Sequence, residues 1–386
     1  MDNSVVQTGR NLPTPIRVED QQTLVEGCRQ CESVSRIAID TEFMRTDTFF
    51  AILALIQISD GKSVWLIDPL AIENLEPLRH LLENPGVVKV FHSCSEDLEV
   101  LQQALGIVPS PLFDTQIAAA MAGYGHSLGY ARLVNAVLGI ELDKHETRSD
   151  WLQRPLTDAQ CQYAAEDVFF LVRIYDHLIS DLPGERIAWI EEDMARLVAG
   201  AREPVDPELY YLKVKGAGRL PEHEQSLLKA LCAWRERLAR QENKPRGRIV
   251  SDSALLEIVQ RKPTARNQLF RIQGFHPQAV RQYGEALMDQ LDHGLAHDGV
   301  PEGFEIVDPP LDPDQRRLLK ALRQVVEERA GELELAPEIL ARKKELEVLV
   351  RSGRSGAGLL VTPLNAGWRY TAIGRELKDY VESMPV

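Results

Sequence analysis

The stretch Arg36–Phe43, "RIAIDTEF", most constrains what this chain can fold into. Ile37 and Ile39 read as a buried strand, and Asp40 and Glu42 close it two residues apart. Alternate residues of a strand share a face, so the two carboxylates lie side by side. Two acids at the end of a buried strand repel each other and lose water unless a positive charge holds them. No Lys or Arg sits beside them in the sequence to supply it.

The surrounding pattern gives this strand its neighbours. "LALIQISD" and "SVWLID" are short β-rich runs whose close spacing predicts antiparallel partners. Residues 72–84 have helical spacing, "VVKVFHS" (87–93) is a strand, and 95–105 reads as a helix opened by Ser95 ahead of acids. "PLFDTQIAAAMAG" is a short strand running into a helix. Residues 156–179 predict one long amphipathic helix, N-capped by Thr157 or Asp158. Clustered strands followed by strand–helix alternation predict an α/β fold with a mixed sheet.

Length and charge divide the chain further. At 386 residues it has room for two to three domains. Residues 1–209 carry 16 Lys and Arg against 33 Asp and Glu, residues 210–290 carry 15 against 8, and residues 291–386 carry 13 against 17. A basic module of about 80 residues therefore follows an acidic half, which points to nucleic acid at the middle segment despite the overall charge of -14. "GAREPVDPELY" (200–210) marks the boundary. Beyond it "LLKAL" occurs at 227–231 and again at 318–322, an offset of 91 residues. Pairing "SALLEIVQRK" with "PEILARKKEL" gives an offset of about 84 at the second helix. Five cysteines suggest no disulfide framework. Cys28 and Cys31 lack the second pair a zinc site needs, so they read as half-buried helix residues. Neither a membrane span nor a secretory signal pattern is evident, so a cytoplasmic location and no membrane partner are expected. No obligatory protein partner is evident.

More acids join the first two. Asp97 stands at the start of a helix just after "VVKVFHS", and Tyr163 and Asp167 lie four apart on one helical face. Each feature alone is common; their order on strand, helix start and helix is specific. Oxygen ligands without a His/Cys set favour Mg²⁺ or Mn²⁺ over zinc. Two such cations about 4 Å apart serve in-line attack on a phosphodiester.

Asp40, Glu42, Asp97 and Asp167 with Tyr163 resemble the DEDD exonuclease superfamily in its tyrosine-bearing branch. The histidine-bearing branch would place His five residues before the last Asp, where Gln162 stands. The segments "AIDTEFMRTDTFFAILALIQI", "FHSCSEDLEVL", "FDTQIAAAMAGYG" and "ELDKHETRSDWLQRPLTDAQCQYAAEDV" are similar to the bacterial ribonuclease D family, and the likeness spans all but roughly the first 15 residues. It implies a ribonuclease H-like exonuclease domain over 1–205, an HRDC domain over 210–292 and a second, diverged HRDC-like domain over 312–386. It also implies 3′→5′ release of 5′-mononucleotides from RNA, notably tRNA precursors with 3′ extensions. By the resemblance, Asp40 bridges two metal ions, Glu42 and Asp167 complete one site, Asp97 holds the other, and Tyr163 orients the attacking water.

Six further residues are candidate substrate contacts. His92 and the "RSDW" group are two sources: Arg148 could meet a phosphate and Trp151 could stack a base, or Trp151 could pack in the core. Lys244, Arg246 and Arg248 in "NKPRGRIV" resemble a phosphate-contacting loop, against an ordinary solvated surface as the alternative. The rival functions are a DNA 3′→5′ exonuclease and a non-catalytic RNA-binding protein. A helicase fragment is disfavoured, because no G-x-x-x-x-G-K-[ST] occurs.

Overall fold

The computed structural model describes residues 12–142, 149–296, 300–301, 303–352 and 363–383. The chain forms two compact units. The first takes the chain up to Met44, Leu53–Glu203 and the chain from Asp312; the second takes Arg45–Ile52 and Pro204–Leu311.

The first unit is built on one six-stranded sheet. Its strands are β1 (Ile16–Val18), β2 (Arg36–Met44), β3 (Ile52–Ser59), β4 (Val64–Ile67), β5 (Val88–Phe91) and β6 (Leu112–Asp114), in the spatial order β1-β4-β3-β2-β5-β6. β3 and β4 are antiparallel, as their close spacing in the sequence predicts. β1 lies parallel to β4, β2 to β5 and β5 to β6, so the sheet is mixed. Ile37, Ala38, Ile39, Ala54, Leu55, Ile56 and Val90 are each no more than 1% exposed and form the centre of the core. β5 also buries Lys89. Its Nζ donates to the carbonyls of Asn84, Val87 and Ser110 at 2.6, 2.8 and 2.6 Å, which replace the lost water.

Helices α1 (Gln21–Glu32), α2 (Glu76–Glu83), α3 (Ser95–Leu105), α4 (Thr115–Met121), α5 (Tyr130–Leu138), α6 (Asp158–Phe169), α7 (Leu171–Asp181) and α8 (Gly184–Arg202) belong to the same unit as the sheet. Cys28 and Cys31 of α1 are fully rather than half buried, at 5% and 2% exposure, because that face packs inward. α3 starts at Ser95, but Cys94 occupies the cap position, so Ser95 caps nothing. The single helix expected over 156–179 is two, broken at Phe170. Thr157 does cap α6, in a reciprocal capping box with Gln160.

The second unit contains α9 (Glu222–Gln241), α10 (Arg246–Ile249), α11 (Asp252–Arg261), α12 (Arg266–Leu269) and α13 (Pro277–Ala296). Leu228, Leu231, Ile249, Leu255, Ile258, Leu269, Val280 and Leu287 fill its core. Phe49 and Phe50 join this unit through their backbone amides, which donate to Asn243 Oδ1 at 3.1 and 3.0 Å.

α14 (Pro313–Glu332), α15 (Pro337–Leu340), α16 (Lys343–Ser352), α17 (Gly367–Arg369) and α18 (Arg375–Ser383) return to the first unit, with a π-helical turn over Tyr370–Gly374. Glu222 and Pro313, Arg246 and Pro337, and Asp252 and Lys343 each begin helices of matching length, 20, 4 and 10 residues. All three pairs are 91 residues apart. The expected offset of 84 came from pairing α11 with the segment that opens at α15, when its counterpart is α16.

Trp189 of α8 stacks on Trp368 at 4.6 Å between centroids. Asp193, 8% exposed, accepts from Arg369 at 2.5 and 2.9 Å, from Arg196 at 3.1 Å and from Trp368 Nε1 at 3.1 Å. Replacing Arg369 with Met strips the buried carboxylate of its bidentate partner. We expect a loss of about 3 kcal/mol in denaturant unfolding; a change within about 0.5 kcal/mol would show that Arg196 and Trp368 suffice to satisfy Asp193.

Candidate active site

β2 outruns its neighbour. Arg36, Ile37 and Ala38 pair with Val88, Lys89 and Val90 of β5, while Asp40 and Glu42 extend past that pairing. Ligands of α/β sheets sit at such carboxyl ends. β5 ends at Phe91, and α3 brings Asp97 into its first turn at the same edge. α6 contributes Tyr163 and Asp167, one helical turn apart.

Oxygens of Asp40, Glu42 and Asp167 all lie within 4.8 Å of one another. Asp97 stands beside this trio. Its Oδ1 accepts from Thr41 Oγ1 at 2.5 Å, a contact the sequence reading missed. Burial pushes the Asp40 carboxyl well above the usual range, and the charges of Asp97, Asp167 and Glu42 push it further. Burial first, then Asp167 and Asp97, raise Glu42 to about 8. Burial raises Asp97 and Asp167 to about 7, against the hydrogen bonds of Thr41 and Tyr163 respectively. No cationic side chain figures among these causes. The donor set therefore fits hard divalent cations: carboxylate oxygens only, converging, partly withdrawn from water and without a counter-charge among the described residues.

The scaffold behind α6 explains why these acids stay in place. Arg154 donates to Asp68 at 2.5 and 2.9 Å, to the Ala54 carbonyl at 2.6 Å and to the Trp151 carbonyl at 2.7 Å. Gln160 Nε2 donates to the Asp150 carbonyl at 3.2 Å. The loop before α6 is thereby pinned to the sheet. Arg154 was not singled out in the sequence, where it reads as one more loop cation.

The candidate substrate contacts fare differently. Trp151 is 2% exposed, with its ring centroid 6.1 Å from that of Tyr163. It packs in the core and offers no free face to a base. His92 is internally bonded at both nitrogens: Nδ1 meets Thr115 Oγ1 at 2.9 Å and Nε2 meets the Leu128 carbonyl at 3.0 Å. A carbonyl only accepts, so Nε2 carries the proton, and burial keeps the ring neutral. His92 thus supports the fold rather than reaching substrate. Arg148 lies outside the described residues.

In the second unit, Arg246 is not a free phosphate contact. Its guanidinium pairs with Glu236, which is 0% exposed, and lies 4.5 Å from the ring centroids of both Phe49 and Tyr210. Residues 246–249 form α10 rather than a loop. Lys244 Nζ is held by Glu242 at 2.7 Å and Tyr283 at 3.2 Å. Arg248 remains outward, 71% exposed, with only an exposed Asp47 at 3.2 Å.

Comparisons with known proteins identify the chain's relatives. The 3′-5′ exonuclease family profile fits residues 15–183, and the HRDC domain profile fits residues 224–291. A ribonuclease D of Pseudomonas paraeruginosa is 43% identical over 366 residues, covering 95% of this chain and 97% of that protein. The chain belongs to the ribonuclease D family. A Shewanella ribonuclease D is 35% identical over 93% of the chain and 92% of that protein. The crystal structure of Escherichia coli RNase D, described as an exoribonuclease involved in structured RNA processing, superimposes with a TM-score of 0.88 at 29% identity. It covers 97% of this chain and 100% of that one. Ribonuclease D enzymes are 3′→5′ exoribonucleases, and members of this exonuclease family use divalent metal. The fold is the expected one, a ribonuclease H-like mixed-sheet domain followed by a helical HRDC domain. Among the described residues no helix is long and apolar enough to cross a membrane.

The raised carboxyls predict a pH signature. In the unfolded chain these acids titrate near 4. The folded, metal-free protein holds their protons up to about pH 7–8. It therefore binds more protons than the unfolded chain, so stability falls as pH rises through this window. The Tm in EDTA should drop from pH 5 to pH 8, and Mg²⁺ should recover most of the loss at pH 8. A Tm that is flat or rising over that range in EDTA contradicts the unneutralised cluster.

Proposed function

We propose that Asp40, Glu42, Asp97 and Asp167 hold two divalent cations, Mg²⁺ or Mn²⁺, and that the site removes 5′-mononucleotides from the 3′ ends of RNA. The observation that carries this reading is the convergence of three carboxylates within 4.8 Å, with Asp97 beside them and no cation beside them among the described residues. Bound cations would neutralise the cluster, acidify the attacking water and stabilise charge on the phosphate.

The chain's own groups do the positioning. Asp40 faces all three other acids electrostatically, which suits it to bridge. Asp167 and Glu42 complete one side of the cluster. Asp97, held by Thr41, serves the other. Burial and the neighbouring acids raise the Tyr163 hydroxyl above its ordinary value. It stays protonated at neutral pH and serves as a hydrogen-bonding group that orients water, not as a base. Hydrolysis of the terminal phosphodiester places the water oxygen on the phosphorus of the released 5′-mononucleotide. The 3′ oxygen of the shortened RNA leaves and takes up a proton.

The division proposed is an exonuclease domain over 1–205, an HRDC domain over 210–292 and a diverged HRDC-like copy over 312–386. The repeated helix lengths at a constant 91-residue offset support the last. The basic middle module supplies salt-dependent affinity for RNA, with Arg248 as its outward cation near α10. Precursors of tRNA with 3′ extensions are the proposed substrates, processed in the cytoplasm without an obligatory protein partner.

The test uses matched RNA and DNA oligonucleotides labelled at either end, with Mg²⁺, Mn²⁺ or EDTA. Stepwise, metal-dependent loss from the RNA 3′ end is expected. Asp40→Asn and Asp167→Asn should abolish turnover with the fold intact, and Tyr163→Phe should lower kcat by roughly 10²–10⁴. Full activity of either Asn variant would sink the assignment.

A further inference from the structure

The break between α6 and α7 falls in "AEDVFFLV", which contains neither Pro nor Gly. A helix without those residues can be interrupted where another group enters the hydrogen-bond ladder. Here that group is visible. The Tyr130 hydroxyl donates to the Glu166 carbonyl at 2.7 Å. Glu166 and Phe170 are four residues apart, the two ends of one ordinary helical bond. The Phe170 N–H reaches back to Val168 O instead, so the Glu166 carbonyl is left to the Tyr130 hydroxyl.

We propose that Tyr130 is a wedge in the helix that carries the acidic site: its hydroxyl replaces the Glu166–Phe170 bond, ends α6 at Phe169 and fixes the orientation of Asp167 and Tyr163. Asp167 directly follows the bonded Glu166, and Tyr163 lies one turn before it. Tyr130 is itself anchored. His92 Nε2 and Gln116 Nε2 both donate to the carbonyl of Leu128, two residues earlier, at 3.0 and 3.2 Å. The His92 ring lies 5.6 Å from the Tyr130 ring. His92 and Tyr130 are therefore positioning residues, acting on the acids through the backbone of α6. This inference rests on the metal-binding reading of the acids.

Tyr130→Phe removes only the inserted oxygen. Tyr124→Phe is the control, because its hydroxyl meets His177 at 3.0 Å, apart from the acids. In the full chain, Mn²⁺ binding followed by electron paramagnetic resonance should weaken roughly tenfold in Y130F and stay at the wild-type value in Y124F. Loss of activity in Y130F should lie mainly in kcat, with little change in KM. Unchanged Mn²⁺ affinity in Y130F, or an equal loss in both variants, overturns the positioning role. A crystal structure of Y130F decides the wedge without reference to metal. The Phe170 N–H is expected on the Glu166 carbonyl, with α6 and α7 joined; an unaltered break at Phe170 overturns it. Wild-type protein that binds no Mn²⁺ would sink the metal reading instead, and the crystal structure would still decide the wedge.

Discussion

Mutual repulsion among four converging carboxylates, one buried and three half-buried, is the constraint around which the first unit is arranged. Asp40 feels Asp97, Asp167 and Glu42 together, and among the described residues no cationic side chain offsets them. Left to relax, such a cluster would swing its acids toward water or pull its elements apart. The structure resists by fixing each acid through its backbone. Asp40 and Glu42 ride on the central strand, whose flanking residues are fully buried. Asp97 is tied to that strand by Thr41. Asp167 sits on a helix secured at both ends, by the capping box and Gln160 at its start and by Tyr130 at its finish. A site preorganised in this way does not need to reorder its ligands when charge arrives.

The same logic explains why several polar residues are buried away from the reaction. Arg154 commits its guanidinium to Asp68 and three backbone carbonyls, which fixes the loop carrying Trp151. Trp151 in turn packs near Tyr163, so the wall behind the hydroxyl is solid. Burial disfavours a charged His92 ring, and the Leu128 carbonyl fixes the remaining proton on Nε2. These residues are engaged with the scaffold beside the acids and Tyr163.

The acids were legible in the sequence because local periodicity fixes their direction. A strand alternates and a helix repeats near every fourth residue, so Asp40 with Glu42, and Tyr163 with Asp167, had to share faces. The mixed sheet followed from the spacing of its strands. What the sequence concealed were contacts between distant segments. Trp151, Arg246 and His92 carry chemistry that suits RNA, and only tertiary packing reveals that their functional atoms are already engaged. Arg246 is the clearest instance: a cation beside Pro and Gly resembles a phosphate contact, yet the buried Glu236 and two aromatic rings occupy it. The helix break was hidden for the same reason. Residues 156–179 have unbroken helical periodicity, and the group that interrupts them comes from position 130.

The repeated helices show how one sequence module can serve two physical ends. α9–α11 and α14–α16 share lengths and a constant 91-residue offset, yet their surroundings differ. The first copy closes its own core with α12 and α13 and carries the basic excess. The second uses the acidic first unit as its packing partner: the Trp189–Trp368 stack and the Asp193–Arg369 pair bury groups a free-standing module would leave in water. The second copy lacks the basic excess of the first: residues 312–386 carry 13 Lys and Arg against 12 Asp and Glu. Its apolar face is used for docking against the sheet domain. The net charge of -14 is therefore no objection to RNA as substrate. What matters for a polyanion is where cations are outward, and the excess is confined to the copy that keeps its own core.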